Sequence, residues 1–430
     1  MPMPHIPKFQ FFWLLISFTF VAHVNAQVGG PLTHLKPREI QLFENGQRQF
    51  HRVWGLKEGV GPVLTDGSCV RCHNMPVEGG GSIRHWTFFG LLNPDGTFDP
   101  LDGTGLSGEN EGGILLQPLS SQPFLPDCSQ GGEILPPDAN AIEKRISPQT
   151  FGFGLIDALA DVDLINRALF ELNNYQADGI HGVAPKVPTY YAAAPNTIGR
   201  FGQKAQIANL VEMSAYAFAK GLGITNPLFP DEDVPQGMPI DPNCTMNTNV
   251  PNNGNTGSGG AGIFPLSHFM RFLAPATPAA CLGTDCEQGR LVFTTVGCDK
   301  CHLPSYTTPT IVHVPIDLSG TSEQSPALST QTVNLYSDLL LHDLGNADKG
   351  SIPENQGITG TAMATQWRTT PLWGLQYRNR FMHNGAAGNL DSAIRGHSDG
   401  TTGEAVRVLN NYKALSAADQ QALLDFLKTL

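Results

Sequence analysis

The chain has 430 residues and a formal net charge of -12, with 26 Lys+Arg against 38 Asp+Glu. That length provides for two or three domains, and the acidic balance argues against a nucleic-acid-binding surface while leaving room to dock a basic partner. Charged residues are only 15% of the chain, whereas Gly (47) and Pro (33) are plentiful, a combination that predicts long ordered loops over a modest helical core.

The N-terminus reads as a leader. His5 and Lys8 give a weakly basic start, Phe11 to Ala22 is an apolar run of twelve, and Val24-Asn25-Ala26 offers small residues for cleavage. Residues 1–26 are therefore expected to be a secretory signal, too short to span a membrane; an uncleaved signal anchor is the alternative. No cysteine follows the cut to carry a lipid, and nothing later reads as transmembrane. The expectation is a periplasmic protein, soluble after signal cleavage.

Phe43-Glu44-Asn45-Gly46-Gln47-Arg48-Gln49-Phe50 reads as a short helix. After a Gly-rich insertion, Trp54 to Ser68, comes Cys69-Val70-Arg71-Cys72-His73. Much later, Cys286-Glu287-Gln288-Gly289-Arg290-Leu291-Val292-Phe293 leads into Cys298-Asp299-Lys300-Cys301-His302. Each pentapeptide is the C-x-x-C-H signature of covalent haem attachment. Two thiols must reach the two vinyl groups of one porphyrin, and the histidine that follows then lies under the iron as its proximal ligand. Cys69, Cys72, Cys298 and Cys301 are thus the candidate attachment residues, and His73 and His302 the candidate iron ligands. Covalent c-type haem is assembled on the exported side of a membrane, so leader and motifs agree. The alternative is a C-x-x-C zinc or redox site, and zinc wants four ligands for each motif.

The stretch from Gly105 to Pro137 reads as loop, as does the polar, Pro- and Gly-rich stretch from Thr225 to Gly262, ending in Asn252 to Gly260. His268 to Leu273 reads as a short helix. The boundary between the two copies falls near Ala274 to Ala280, which divides the mature chain into 27–275 and 276–430. At the C-terminus Ser416-Ala417-Ala418-Asp419 resembles a capping box, and Leu423, Leu424, Leu427 and Leu430 share one helical face. The four remaining cysteines, Cys128, Cys244, Cys281 and Cys286, allow three disulfide pairings; Cys281 with Cys286 and Cys128 with Cys244 is the simplest. The expected fold class is mainly α with long loops, in two cytochrome c-like haem domains.

A set of short motifs in fixed order adds to this. They are Gly61-Pro62 with the first haem motif, then Phe151-Gly152-Phe153-Gly154-Leu155-Ile156 and Gly199-Arg200-Phe201-Gly202-Gln203-Lys204-Ala205. Gly223-Ile224-Thr225-Asn226-Pro227-Leu228-Phe229 and Tyr336-Ser337-Asp338-Leu339-Leu340-Leu341-His342-Asp343-Leu344-Gly345 follow. Last come Arg368-Thr369-Thr370-Pro371-Leu372-Trp373-Gly374, His383-Asn384-Gly385 and Gly403-Glu404-Ala405. In this order, around two haem motifs, the chain resembles the di-haem oxidoreductases, a family related to bacterial di-haem cytochrome c peroxidases, over nearly the whole mature length.

The resemblance implies two roles. One haem faces a small oxidant such as peroxide; the other collects electrons from an external donor protein or carrier. A tryptophan often sits between such haems, with Trp86, Trp367 and Trp373 as candidates, and His342 and Asp343 lie near the interface. In the peroxidase relatives a carboxylate assists O–O cleavage as acid and base. At the corresponding place this chain has Lys220-Gly221-Leu222, which leaves Glu212, upstream on the same helix, as a substitute, against its reading as a solvated helix-face glutamate; Glu212 and His342 are the catalytic candidates. Calcium, present in relatives, is unsupported here, because Arg378 and Arg380 stand where oxygen donors are wanted. For the first iron the site above His73 is expected to be open or weakly held, with His85 and Met75 nearby. For the second iron His313, His342, His383, His397, Met363 and Met382 follow His302. In the relatives the ligand, a methionine in many, lies fourteen residues after the histidine of the H-x-G motif, which here gives His397. The resulting expectation is a di-haem oxidoreductase of peroxidase-like type; the alternative is an electron-transfer cytochrome without peroxidase activity.

Overall fold

The computed structural model describes residues 28–101, 115–191, 193–194, 196–233, 238–244, 262–345, 352–355 and 361–430. The expected leader and the Asn252–Gly260 stretch lie outside these residues. Among them, no helix is long and apolar enough to cross a membrane.

Helices form at α1 (Pro37–His51), α2 (Phe153–Asp157), α3 (Asp161–Asn174), α4 (Leu210–Tyr216), α5 (Ile263–Phe272), α6 (Thr284–Val296), α7 (Leu390–Arg395), α8 (Val406–Ala414) and α9 (Ala417–Leu427). Two crossings organise them, and they are built alike. α1 packs on α5 and α6 packs on α9. At the first crossing Gly46 lies so close to α5 that a Cβ there would stand 2.1 Å from the Pro265 carbonyl oxygen. At the second, a Cβ on Gly289 would stand 2.0 Å from the Ala422 carbonyl oxygen. Only glycine lets the two backbones approach that closely. Four residues later in each copy an aromatic ring locks the crossing: Phe50 meets Phe269 at 4.7 Å between ring centres, and Phe293 meets Phe426 at 5.6 Å. Fully burying a phenylalanine is worth about 2 kcal/mol, so these rings anchor each helix pair. The sequence repeat is therefore a repeat in space, with Gly46 equivalent to Gly289 and Phe50 to Phe293. α9 is capped as expected, the Ser416 hydroxyl accepting from the Asp419 amide at 3.1 Å, and Leu423, Leu427 and Leu430 are buried.

The expectation of a mainly α fold is corrected: the fold is mixed α and β. His85–Leu92 is the centre of a three-stranded antiparallel sheet, flanked by Phe98–Asp99 and Ala141–Ile146. Short antiparallel pairs recur elsewhere, among them Leu341–Asp343 with Gln366–Arg368. The physical reason lies in the composition. With 33 prolines and 47 glycines, the segments between helices cannot stay helical, and their backbone groups are satisfied by pairing with one another. Ala141–Ile146 shows the period of two, Ala141, Glu143 and Arg145 facing inward and Ile142 and Lys144 outward. The inward Glu143 and Arg145 are ion-paired to each other, so this strand carries a charged signature that hides its burial.

One hydrophobic cluster gathers Phe43, Phe50, Phe151, Phe269, Phe272 and Leu273, and extends to Val312, Leu328 and Leu340. A second gathers Phe293, Tyr412, Leu423 and Phe426. Disulfides join Cys128 to Cys244 and Cys281 to Cys286.

Candidate functional site

The two C-x-x-C-H motifs fold identically. Each begins as a single 3-10 turn, Cys69–Arg71 and Cys298–Lys300. The amide of the histidine then donates back to the carbonyl of the first cysteine, His73 to Cys69 at 3.0 Å and His302 to Cys298 at 2.9 Å. In the second motif the two thiols and the imidazole all line one cavity. All four thiols are unbonded. Burial, and then the neighbouring Cys72, pushes Cys69 up to about 12; burial, and then Asp299, does the same to Cys298. Redox-active C-x-x-C thiols are depressed instead, so the dithiol reading loses support. Among the described residues, the donor atoms near enough to share an ion belong to Cys301, Asp338 and His342, within 4.8 Å of one another. That set uses one motif cysteine and falls short of zinc's four ligands.

Both imidazoles are held the same way. His302 Nδ1 donates to the Tyr336 carbonyl at 2.9 Å. His73 Nδ1 donates to the Pro148 carbonyl at 3.0 Å, with Gly80 at 3.2 Å. A carbonyl on Nδ1 fixes the tautomer and leaves Nε2 with a lone pair for a metal. His397 completes the pattern: its Nδ1 donates to Ala393 at 2.8 Å, one turn back on α7. Burial first, and then the nearby His397, lowers His302 to about 4; burial also lowers His73 and His397. All three are thus kept neutral.

His302 and His397 face each other across a cavity, ring centres 6.3 Å apart and planes at 69°. A metal bonded to two imidazole nitrogens at about 2 Å each, with each ring centre a further ~1 Å behind its nitrogen, needs about 6 Å between centres. The cavity is partly open to solvent, and Cys298 and Cys301 line it with both histidines. Its walls are largely apolar, with Phe293, Leu375, Leu390 and Ile394 among them. Two free thiols, two neutral imidazoles and an apolar slot fit a haem.

The first motif abuts the wall of this cavity. Pro148, whose carbonyl holds His73, also lines the cavity, as do Ser147, Gln149, Met75 and Ile83. Of the residues near the first motif, Met75 faces the cavity, while the exposed His85 bonds the Asn384 carbonyl through Nε2 at 3.0 Å. Asp66 binds Arg84 at 2.6 Å and Arg71 at 3.3 Å beside the first motif.

His342 is buried against the second motif, its Nδ1 3.7 Å from the Cys301 sulfur. The same nitrogen lies 2.7 Å from Glu404 Oε2, and Nε2 lies 2.9 Å from Asp338 Oδ2. With a carboxylate on each nitrogen the ring is held as an imidazolium. Burial works against that charge, but Cys301 and Asp338 outweigh it and hold His342 well above its ordinary value. A thioether at Cys301 carries no charge, which leaves the carboxylates as the lasting cause.

Glu212 is placed differently from expectation. It is buried rather than solvated, and its Oε1 accepts from the amides of Tyr190 and Tyr191 at 2.8 and 2.9 Å. Burial raises its pKa, but it is absent from the cavity wall. Lys220, standing where relatives carry an acid, is paired with Asp233. Arg378 and Arg380, the cations that speak against calcium, both line the cavity. Of the remaining ligand candidates, Met382 and His383 line the cavity, whereas Met363 and His313 are exposed. Trp367 stacks on His383 at 3.4 Å. Sequence reasoning missed Glu171 and Arg167, and gave Asp338 and Glu404 no role. The signal available was the spacing Asp338–His342 and the run Gly403-Glu404-Ala405.

A family model described as "Di-haem oxidoreductase, putative peroxidase" matches residues 133–430, which takes in the second motif and leaves the first upstream. A solved structure of hydrazine synthase from Kuenenia stuttgartiensis, pressurised with xenon, aligns over 100% of both chains at 12% identity and a TM-score of 0.37. No curated protein matches the chain.

Proposed function

This chain belongs to the di-haem oxidoreductase family, and from that premise we propose that it is an exported c-type protein carrying two covalent haems. Cys69 and Cys72 attach one; Cys298 and Cys301 attach the other. The observation that carries this reading is the 6.3 Å facing pair His302 and His397, each with its Nδ1 tied to a carbonyl. His302 and His397 would hold the second iron and His73 the first, and the first is where a small oxidant such as peroxide would react. When bound, haem supplies one-electron chemistry at its iron.

The residues of the chain set the order of events. With an imidazole on each side, the second site would be closed to other ligands and would take electrons from an external donor. Trp367, His383 and the Ser147–Gln149 strip line the cavity, and the electron path would run along that wall. Export to the periplasm is supported by the leader, and the acidic surface suits a basic donor.

Mixing the reduced di-haem protein with peroxide and following absorbance tests this. The expected result is rapid oxidation of one haem, with the low-spin second haem following. An electron-transfer cytochrome without peroxidase activity is the second reading, favoured by Glu212 spending its carboxylate on backbone amides and by Lys220 replacing an acid. Two haems that bind neither cyanide nor peroxide decide for it.

A further inference from the structure

The loop that carries Lys204 is fastened to the strand that carries Trp367. The Gln203 carbonyl accepts from the Arg368 amide at 2.9 Å, and the Gly202 carbonyl from Arg368 Nε at 2.8 Å. Lys204 is fully buried, where a charge is costly unless it is met. Its Nζ donates to the carbonyls of Ala364 and Gln366 at 2.8 Å each and of Met363 at 3.3 Å. Three acceptors take the three N–H bonds of an ammonium. That ammonium lies 3.6 Å from the centre of the Trp367 ring. His383 stacks on the same ring at 3.4 Å and 14° from parallel, so the imidazole fills one face and the ammonium the other.

This sandwich bears on what an indole can do beside a haem. Trp367 lines the cavity with His302 and His397, and tryptophan is among the side chains most readily oxidised. A cation is attracted to the electron-rich face of an indole. Once the ring has lost an electron, that attraction becomes repulsion, weakly screened in a buried site. An oxidised indole is otherwise stabilised by losing its Nε1 proton. Trp367 Nε1 is buried and, among the described residues, has no hydrogen-bond partner, so no acceptor stands ready for it. Arg145 adds a guanidinium 5.2 Å from the same ring, its charge met by Glu143.

We propose that Lys204 keeps Trp367 from being oxidised, so that the indole serves the cavity wall as a bridge for electrons and never as their donor. The inference rests on the electron path proposed above. Peroxide takes two electrons and two protons to give two waters. The electrons come one from each ferrous haem, which become ferric, and none from Trp367. Lys204 touches no reacting atom; it acts through Trp367 and is a positioning residue.

The test oxidises the di-haem holoprotein in two arms, with excess peroxide and with photogenerated tris(bipyridine)ruthenium(III), a one-electron oxidant that needs no peroxidase activity. Peptide mass spectrometry reads oxidation at each tryptophan, and electron paramagnetic resonance of frozen samples reads organic radicals. In the wild type the Trp367 peptide should stay unmodified. In Lys204→Met its modification should rise at least about tenfold, with a narrow tryptophan radical signal. Lys204→Arg, which keeps the charge, should restore the wild-type result. Trp373 is buried to the same degree and should not change in any of them, whereas a folding defect would raise both. Trp367→Phe gives a reading free of the Lys204 variants: phenylalanine bridges but is not oxidised, so electrons should still pass between the haems at close to the wild-type rate. Oxidation of Trp367 in the wild type, no rise in Lys204→Met, a matching rise at Trp373, or collapse of the rate in Trp367→Phe overturns the proposal. An inert peroxide arm with the expected ruthenium result sinks the peroxidase reading and leaves the proposal standing. A protein without covalent haem overturns both.

Discussion

His302 and His397 stand ring to ring across the cavity at 6.3 Å, although 95 residues separate them in sequence. Each has its Nδ1 engaged by a backbone carbonyl, so both Nε2 atoms are available to one iron. His397→Gly is therefore expected to convert the low-spin bis-histidine signal of the second haem into a high-spin or water-ligated one, while the first haem's signal is unchanged. Electron paramagnetic resonance of the ferric protein reads this out. An unchanged low-spin spectrum removes His397 as ligand and makes cavity-lining Met382 or His383 the next to test.

The matched crossings make a stability prediction. Gly46→Ala and Gly289→Ala each force a methyl into a backbone carbonyl at about 2 Å. Overpacking of this kind costs roughly 1–3 kcal/mol, and neither partner is a flexible side-chain tip. Urea unfolding should show both variants destabilised by at least about 1 kcal/mol. Gly131→Ala, whose added methyl meets nothing nearer than 3.8 Å, should behave as wild type.

His268 on α5 predicts a pH effect. It is buried, with Nε2 donating to the Pro315 carbonyl at 2.9 Å, and burial lowers it from 6.5 to about 4. Between those values the unfolded chain takes up a proton that the folded chain refuses. Stability from this group is full above pH 6.5 and falls as pH drops toward 4, by about 3 kcal/mol in all at 1.36 kcal/mol per unit. Thermal or urea unfolding at a series of pH values should show that His268→Gln loses part of the wild-type acid sensitivity.

Much of the site was legible because its chemistry is local. Five consecutive residues fix a thiol pair and an imidazole, and the repeat Phe43–Phe50 against Cys286–Phe293 already aligned the glycine and aromatic of each crossing. The simplest disulfide pairing is also the one formed. The strands were not legible. Two- and three-residue pairs such as Leu341–Asp343 with Gln366–Arg368 are too short for a period to show, and Ala141–Ile146 buries Glu143 and Arg145, which read as surface. Glu171 was hidden for a related reason: on its own helix it looks like half of an Arg167 pair, and only the fold brings Asp338, His342 and Glu404 to it. Glu212 read as a solvated acid because the loop at Tyr190–Tyr191 that covers it is distant in sequence.

The central claim is that both motifs carry covalent haem, and intact mass spectrometry of the protein exported by a host with haem-attachment machinery tests it most directly. The account predicts a chain lacking residues 1–26 with two haems attached, and one stable attachment lost in each of Cys69→Ala and Cys301→Ala. A mass showing zinc, or a chain without haem, contradicts it.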